Sequence, residues 1–269
     1  MATSKTAEIE TALITGASSG IGEALARRFA KDGHRLVLVA RSVAKLDALA
    51  AELSAAHGFK VAVIPADLSL PGAARELASA CRRRRIVVDV LVNNAGVLEH
   101  GAFVAMKPER HQQLIDLNVS GLTAMIAQFL PSMRERGRGR VLNVASIAAF
   151  QPVPTLATYA ATKAYVLSLT ESLAEELKGS GVSITALCPG ITDTGMLSSA
   201  TEANAQLARL PGFLVADVDK VAAEGYRACM RGDVIKVPGV MNLAATMAGR
   251  ATPKWLLRRI AGTVTRSAS

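Results

Sequence analysis

A chain of 269 residues, 50% apolar and 20% charged with 21 glycines, can bury a large core and fits a compact α/β protein. Three scattered cysteines without a C-x-x-C pair argue for reduced thiols in the cytoplasm, and four histidines with no i, i+4 pair or acidic cluster argue against a metal site. The net charge of +9 permits acidic partners but selects none.

In chain order, Glu8 and Glu10 precede the first apolar run, so no secretory leader is expected. Runs rich in Val, Ile and Leu then recur at 11–14, 35–40, 60–65, 88–92, 140–145, 183–187 and 234–237, and predict seven strands. Helical patterns between them begin near Gly20, Val43, Pro71, Lys107, Gly121, Thr155 and Asp217. Arg82, Arg83, Arg84 and Arg85 fall where the third helix should end, with no interleaved aromatics, so they fit a solvated helix end rather than a nucleic-acid patch. The uncharged stretch between Arg140 and Lys163 is broken by Asn143, Gln151, Pro152 and Pro154, which suits a strand and a loop and not a membrane helix.

Alternating strands and helices predict a Rossmann-like, doubly wound parallel sheet with helices on both faces. No linker or repeat divides the chain, so residues 1–240 are expected to form one catalytic domain, with a lid at about 191–212 and a separate tail at 241–269. Right-handed crossovers leave a ligand crevice beyond the carboxyl ends of the strands. Gly16, Arg41, Asp67, Asn93, Ser146 and Pro189 each follow one of the first six expected strands.

The first strand runs into Thr15-Gly16-Ala17-Ser18-Ser19-Gly20-Ile21-Gly22, spaced G-x3-G-x-G. Glycines there let the backbone turn sharply and approach a pyrophosphate, whose charge the amides at the following helix start would stabilise. Arg41 stands at the end of the second strand, where an acid would favour the free ribose diol. It suits a 2′-phosphate and makes NADP (NADPH) the expected cofactor over NAD. Asp67, followed by Leu68, is balanced between an adenine contact and a helix cap. Asn94, Ala95 and Gly96 would let the backbone pass beneath the cofactor. Tyr159 and Lys163 lie four apart on one helical face, where an ammonium within about 4–6 Å would lower the phenol's pKa by about 1–3 units.

Together, Thr15-Gly16-x3-Gly20-Ile21-Gly22, Asn93-Asn94-Ala95-Gly96, Asn118, Ser146, Tyr159-x3-Lys163 and Pro189-Gly190 resemble the single-domain short-chain dehydrogenase/reductase family over residues 9–239. The resemblance implies hydride transfer between a nicotinamide and a small-molecule carbonyl or alcohol. Tyr159 would be the acid/base, Lys163 would tune it and hold the ribose, Ser146 would orient the carbonyl, and Asn118 would hold a proton-relaying water. It also implies dimers or tetramers built on the helices near Gly121 and Thr155. Pro189, Gly190, Thr192 and Thr194 would approach the nicotinamide, Thr194 at the matching place and Thr192 where the family often has an aliphatic residue. Ketoacyl, ketosteroid and small aldehyde substrates stay open, with an apolar lid favouring a hydrophobic one. A non-catalytic dinucleotide sensor on the same fold would not need Ser146, Tyr159 and Lys163 together.

From 241 to 269 the chain has five cations, Arg250, Lys254, Arg258, Arg259 and Arg266, and no acid. Leu256, Ile260 and Val264 recur at helical spacing, so the tail could pack on a neighbouring subunit, lie on anionic lipid or meet an acyl carrier.

Overall fold

The computed structural model describes residues 9–192 and 215–252. Thr194, most of the expected lid and the tail from 253 onward lie outside the described residues.

Seven strands form one parallel sheet in the order β3-β2-β1-β4-β5-β6-β7. They are β1 (Thr11–Thr15), β2 (Arg35–Val39), β3 (Ala62–Val63), β4 (Val90–Asn93), β5 (Gly139–Val144), β6 (Val182–Leu187) and β7 (Ile235–Lys236). The winding reverses between β1 and β4, and the crevice expected there opens at that point. The central strands are apolar on both sides because helices cover both faces; Leu13, Ile14, Leu91 and Val92 have no exposed surface.

Leu25 and Phe29 of α1 (Gly20–Lys31) pack on one face with Leu46 and Leu49 of α2 (Val43–His57) and Val221 and Tyr226 of α7 (Val218–Arg231). Leu77 of α3 (Ala73–Arg83) packs on the other, with Met125 and Phe129 of α5 (Leu122–Glu135) and Val166 of α6 (Ala157–Glu176). The last described helix is α8 (Val240–Ala251). The arginine run sits at the exposed end of α3, and Arg84 donates to the Val63 carbonyl.

Two expectations need correction. The edge strands β3 and β7 have two residues each instead of the longer runs expected, although the ladder continues past β3 through Ile64 N–H to the Leu38 carbonyl and Ala66 N–H to the Ala40 carbonyl. Gly121 does not start a helix. α4 (Pro108–Ile115) passes through a π-helical turn, Asp116–Gly121, directly into α5. A Cβ on Gly121 would meet the Leu68 carbonyl at 2.4 Å, so the glycine is there for close passage and not as a terminus. Among the described residues, Pro108–Glu135 is also the one helix long and apolar enough to cross a membrane by length and composition. Its Met125, Ile126, Phe129 and Met133 are buried in the core.

Candidate active site

Thr15 bolts the crevice together. Its buried Oγ1 accepts the Asn94 and Ala95 N–H groups at 2.9 and 3.0 Å and donates to the Val92 carbonyl at 3.1 Å. Asn94 Nδ2 returns to the carbonyls of Thr15 and Gly16. These bonds hold the turn after β1 against the turn after β4, at the point of reversal. Gly16 takes φ +65 there, and a Cβ would fall 2.9 Å from the Ala95 Cα. Gly22 lies behind this turn, where a Cβ would strike the Gly16 carbonyl at 2.2 Å; it packs α1 tightly and does not line the cleft.

A cleft of about 760 Å³ opens above. Ser18, Ser19, Gly20 and Ile21 form one wall with Gly16, while Arg41, Asp67 and Leu68 form its far end. Asn94, Ala95 and Gly96 line it together with Ser146, Tyr159, Lys163, Pro189, Gly190 and Thr192, and a Cβ on Gly96 would come within 3.5 Å of Lys163 Nζ. Ser19, the N-cap of α1, makes no side-chain cap, so the first amides of the helix have no side-chain acceptor there. Such a cradle suits the pyrophosphate of a dinucleotide.

At the far end, Arg41 is mostly exposed, with Nη1 3.8 Å from Asp67 Oδ2. Asp67 Oδ1 accepts both the amide and the hydroxyl of Ser69, at 3.0 and 2.6 Å, and these bonds, above all that from the hydroxyl, hold the carboxyl below its usual range. Asp67 therefore caps its own turn; the residue ahead of α3 is Gly72. Oδ2 stays toward the cleft end and Arg41.

Tyr159 and Lys163 share α6, which sets the Lys163 Nζ 5.7 Å from the phenol ring centroid. Nζ donates to the Val144 carbonyl at 2.8 Å. Burial of both groups changes the expected electrostatics. The phenol is pushed above its ordinary value by burial, partly offset by its hydrogen bond with Ser146, and Lys163 is pulled down to about 8 by its own burial. The direction of the tyrosine's shift is thus set by desolvation and not by the lysine. Ser146 is itself oriented, accepting the Ala148 N–H at 3.1 Å. The neighbouring Ile147 N–H is tied to the Pro189 carbonyl at 2.9 Å, which joins the loops after β5 and β6.

Asn118 lies behind the cleft wall. Its Oδ1 accepts the Val97 N–H at 2.9 Å, and its Nδ2 donates to the Val97 carbonyl at 2.9 Å and to Thr162 Oγ1 at 3.2 Å. The side-chain amide thus clamps the segment that carries Gly96. Thr192 hydrogen-bonds the Gly190 carbonyl and bridges to Ala216, closing the described edge of the site.

Sequence reasoning missed the bolt Thr15, the clamp partners Val97 and Thr162, and the wall of Leu98, His100, Ile147, Val153 and Leu156. Thr15 stood inside the glycine motif. The wall residues come from loops and the short 3-10 turn Ile147–Phe150, which have no periodicity to betray them.

Known proteins agree with this architecture. The short chain dehydrogenase family profile matches residues 10–205. Oxidoreductase UcpA of Escherichia coli is 37% identical over 191 residues, covering 71% of this chain and 72% of that protein. Among solved structures, a short-chain dehydrogenase from Sphingobium yanoikuyae in complex with NADPH is 36% identical with a TM-score of 0.79, covering 89% of this chain and 92% of its own. A short chain dehydrogenase/reductase from Burkholderia phymatum in complex with NAD is 26% identical with a TM-score of 0.81, covering 89% and 92%. The chain belongs to the short-chain dehydrogenase family and is an oxidoreductase with a nicotinamide nucleotide cofactor.

Proposed function

We propose that this protein is an NADP-dependent reductase or dehydrogenase that interconverts a hydrophobic carbonyl compound and its secondary alcohol. The observation that carries this is the convergence of Tyr159, Lys163 and Ser146 on one cleft, beside Gly96 and continuous with the α1 cradle. Arg41 supports the phosphorylated cofactor, because no carboxylate replaces it at the end of β2. Leu98, Ile147, Val153, Leu156 and Ile191 make the substrate wall apolar.

The bound nicotinamide supplies or accepts the hydride. Burial keeps the Tyr159 proton in place at neutral pH, so in reduction the phenol gives it to the carbonyl oxygen while the Ser146 hydroxyl steadies the same oxygen. Lys163, held by Val144, offers its remaining N–H groups to the cofactor ribose. Asn118 acts as a positioning residue through Val97. Oxidation of the alcohol runs the same path backward and needs the deprotonated phenol, so it gains from alkaline pH. Residues 1–240 form the catalytic unit, and 241–269 the appended tail.

A homo-oligomer is part of this proposal. The partly exposed groove of Phe103, Ile115, Val119, Ala157 and Ala161 supports pairing through the helices around α4 and α6. Three buried cysteines, none of them in a disulfide, support a reducing, cytoplasmic setting.

The test is NADPH oxidation against ketones, 3-ketoacyl thioesters and aldehydes. Tyr159→Phe should lower turnover by about 10²–10⁴-fold with NADPH binding retained. An active Tyr159→Phe enzyme would remove the mechanism.

A further inference from the structure

α8 is built inside out. Asn242 and Thr246, one turn apart, face the protein. Thr246 is buried, and its hydroxyl returns to the carbonyls of Asn242 and Leu243. Asn242 donates to the Pro238 carbonyl and presses on Gly190, where a Cβ would come within 2.5 Å of its Nδ2. The apolar side chains point the other way. Val240 is 85% exposed, Met241 and Met247 are each 64% exposed, and Leu243 is 44% exposed. At helical spacing Val240, Leu243 and Met247 make one stripe, with Met241 at its flank. An ordinary surface helix turns that stripe to the core. A contiguous apolar face left outside marks a contact surface.

Charge identifies what covers it. From 241 to 269 there are five cations and no acid, so the stripe runs into the most one-sided charge in the chain. A second copy would add the same run of cations with no acid to pair them, and like charges would oppose pairing through this end of the chain. An anionic bilayer satisfies both features at once, taking the exposed apolar side chains below its headgroups and attracting a segment with five cations and no acid.

We propose that α8 is an interfacial docking helix that lays Val240, Met241, Leu243 and Met247 on an anionic lipid surface. α8 packs on Gly190 and against the turn Ile147–Phe150, both at the substrate end of the cleft. Docking therefore holds the cleft next to the bilayer. That the cleft then draws a carbonyl compound dissolved in the membrane rests on the proposed function; the docking itself does not.

The experiment is sedimentation of the full chain with vesicles of phosphatidylglycerol and phosphatidylcholine, and with vesicles of phosphatidylcholine alone. Binding to the anionic vesicles should exceed binding to the neutral ones by about tenfold or more and should fall with salt. The double variant Met241→Glu, Met247→Glu should lose about tenfold or more of that binding. Both side chains are exposed, so the variant should keep the wild-type circular dichroism spectrum and thermal transition, readouts that do not depend on which cofactor is bound. No sedimentation with anionic vesicles, or equal binding by the variant, overturns the proposal. So does a smaller oligomer for the variant by light scattering, since that assigns the face to a second copy.

Discussion

Arg41 and Asp67 meet at the far end of the cleft with opposite charges 3.8 Å apart, and the ion pair is loose because the arginine is 73% exposed. A loose guanidinium can turn to a ligand phosphate at little cost. In Arg41→Asp two carboxylates would face each other where the proposed function puts the 2′-phosphate. NADPH affinity should fall by about 10–100-fold while NADH is less affected, as fluorescence titration of both cofactors will measure. Unchanged preference would show that Arg41 does not select the cofactor. Arg41 was legible because it is a single charge closing an apolar run. Its partner's behaviour was not: Ser69, two residues beyond Asp67, takes one carboxylate oxygen and leaves the other for Arg41.

At the scale of elements, the π turn in the long helix is what places Asn118. The wider turn interrupts regular α-helical bonding where the buried Asn118 must reach Val97. Asn118→Ala would leave the N–H and the carbonyl of Val97 without their side-chain partner. A loss of about 2–4 kcal/mol in stability is expected, read as a lower midpoint in urea, with the cofactor bound more weakly as the Gly96 segment loosens. A variant as stable as wild type would mean that Asn118 does not clamp this segment. The strands and most helix starts were legible in the hydrophobic pattern, but the pattern split the long helix at Gly121. A glycine in sequence looks the same whether it ends a helix or lets another segment pass, and only the Leu68 carbonyl beside it distinguishes the two.

Across the whole molecule, burial of Lys163 links stability to pH. Its pKa falls from the ordinary 10.5 to about 8, so between those values the unfolded chain binds a proton that the folded chain does not. The contribution of Lys163 to stability should therefore rise as pH increases from 8 toward 10.5, against the buried thiols and phenols of Cys81, Cys229, Tyr159 and Tyr226, whose raised pKa values act in the opposite sense, and at neutral pH the buried ammonium costs on the order of 3 kcal/mol. Lys163→Met should raise the melting temperature at pH 7, with its advantage over the wild type shrinking as pH increases from 8 to 10.5, while turnover collapses. Thermal melts of both proteins across that range decide it; a less stable methionine variant would mean that the bond to Val144 outweighs the cost of burial.

Local chemistry in the sequence was enough for the alternation of strands and helices, the glycine turn, and the Tyr159, Lys163 and Ser146 set, because periodicity, glycine and short spacings act within a turn or a strand. Folding settled matters between distant residues. The Thr15–Asn94 bolt joins positions 79 apart, and the Asn118 clamp joins positions 21 apart. Burial then reversed the expected tyrosine shift, and the inverted polarity of α8 emerged only once Gly190 lay against Asn242. Hydrogen-bond partners, desolvation and the facing of a helix depend on what the rest of the chain brings alongside, and no short stretch of residues contains that information.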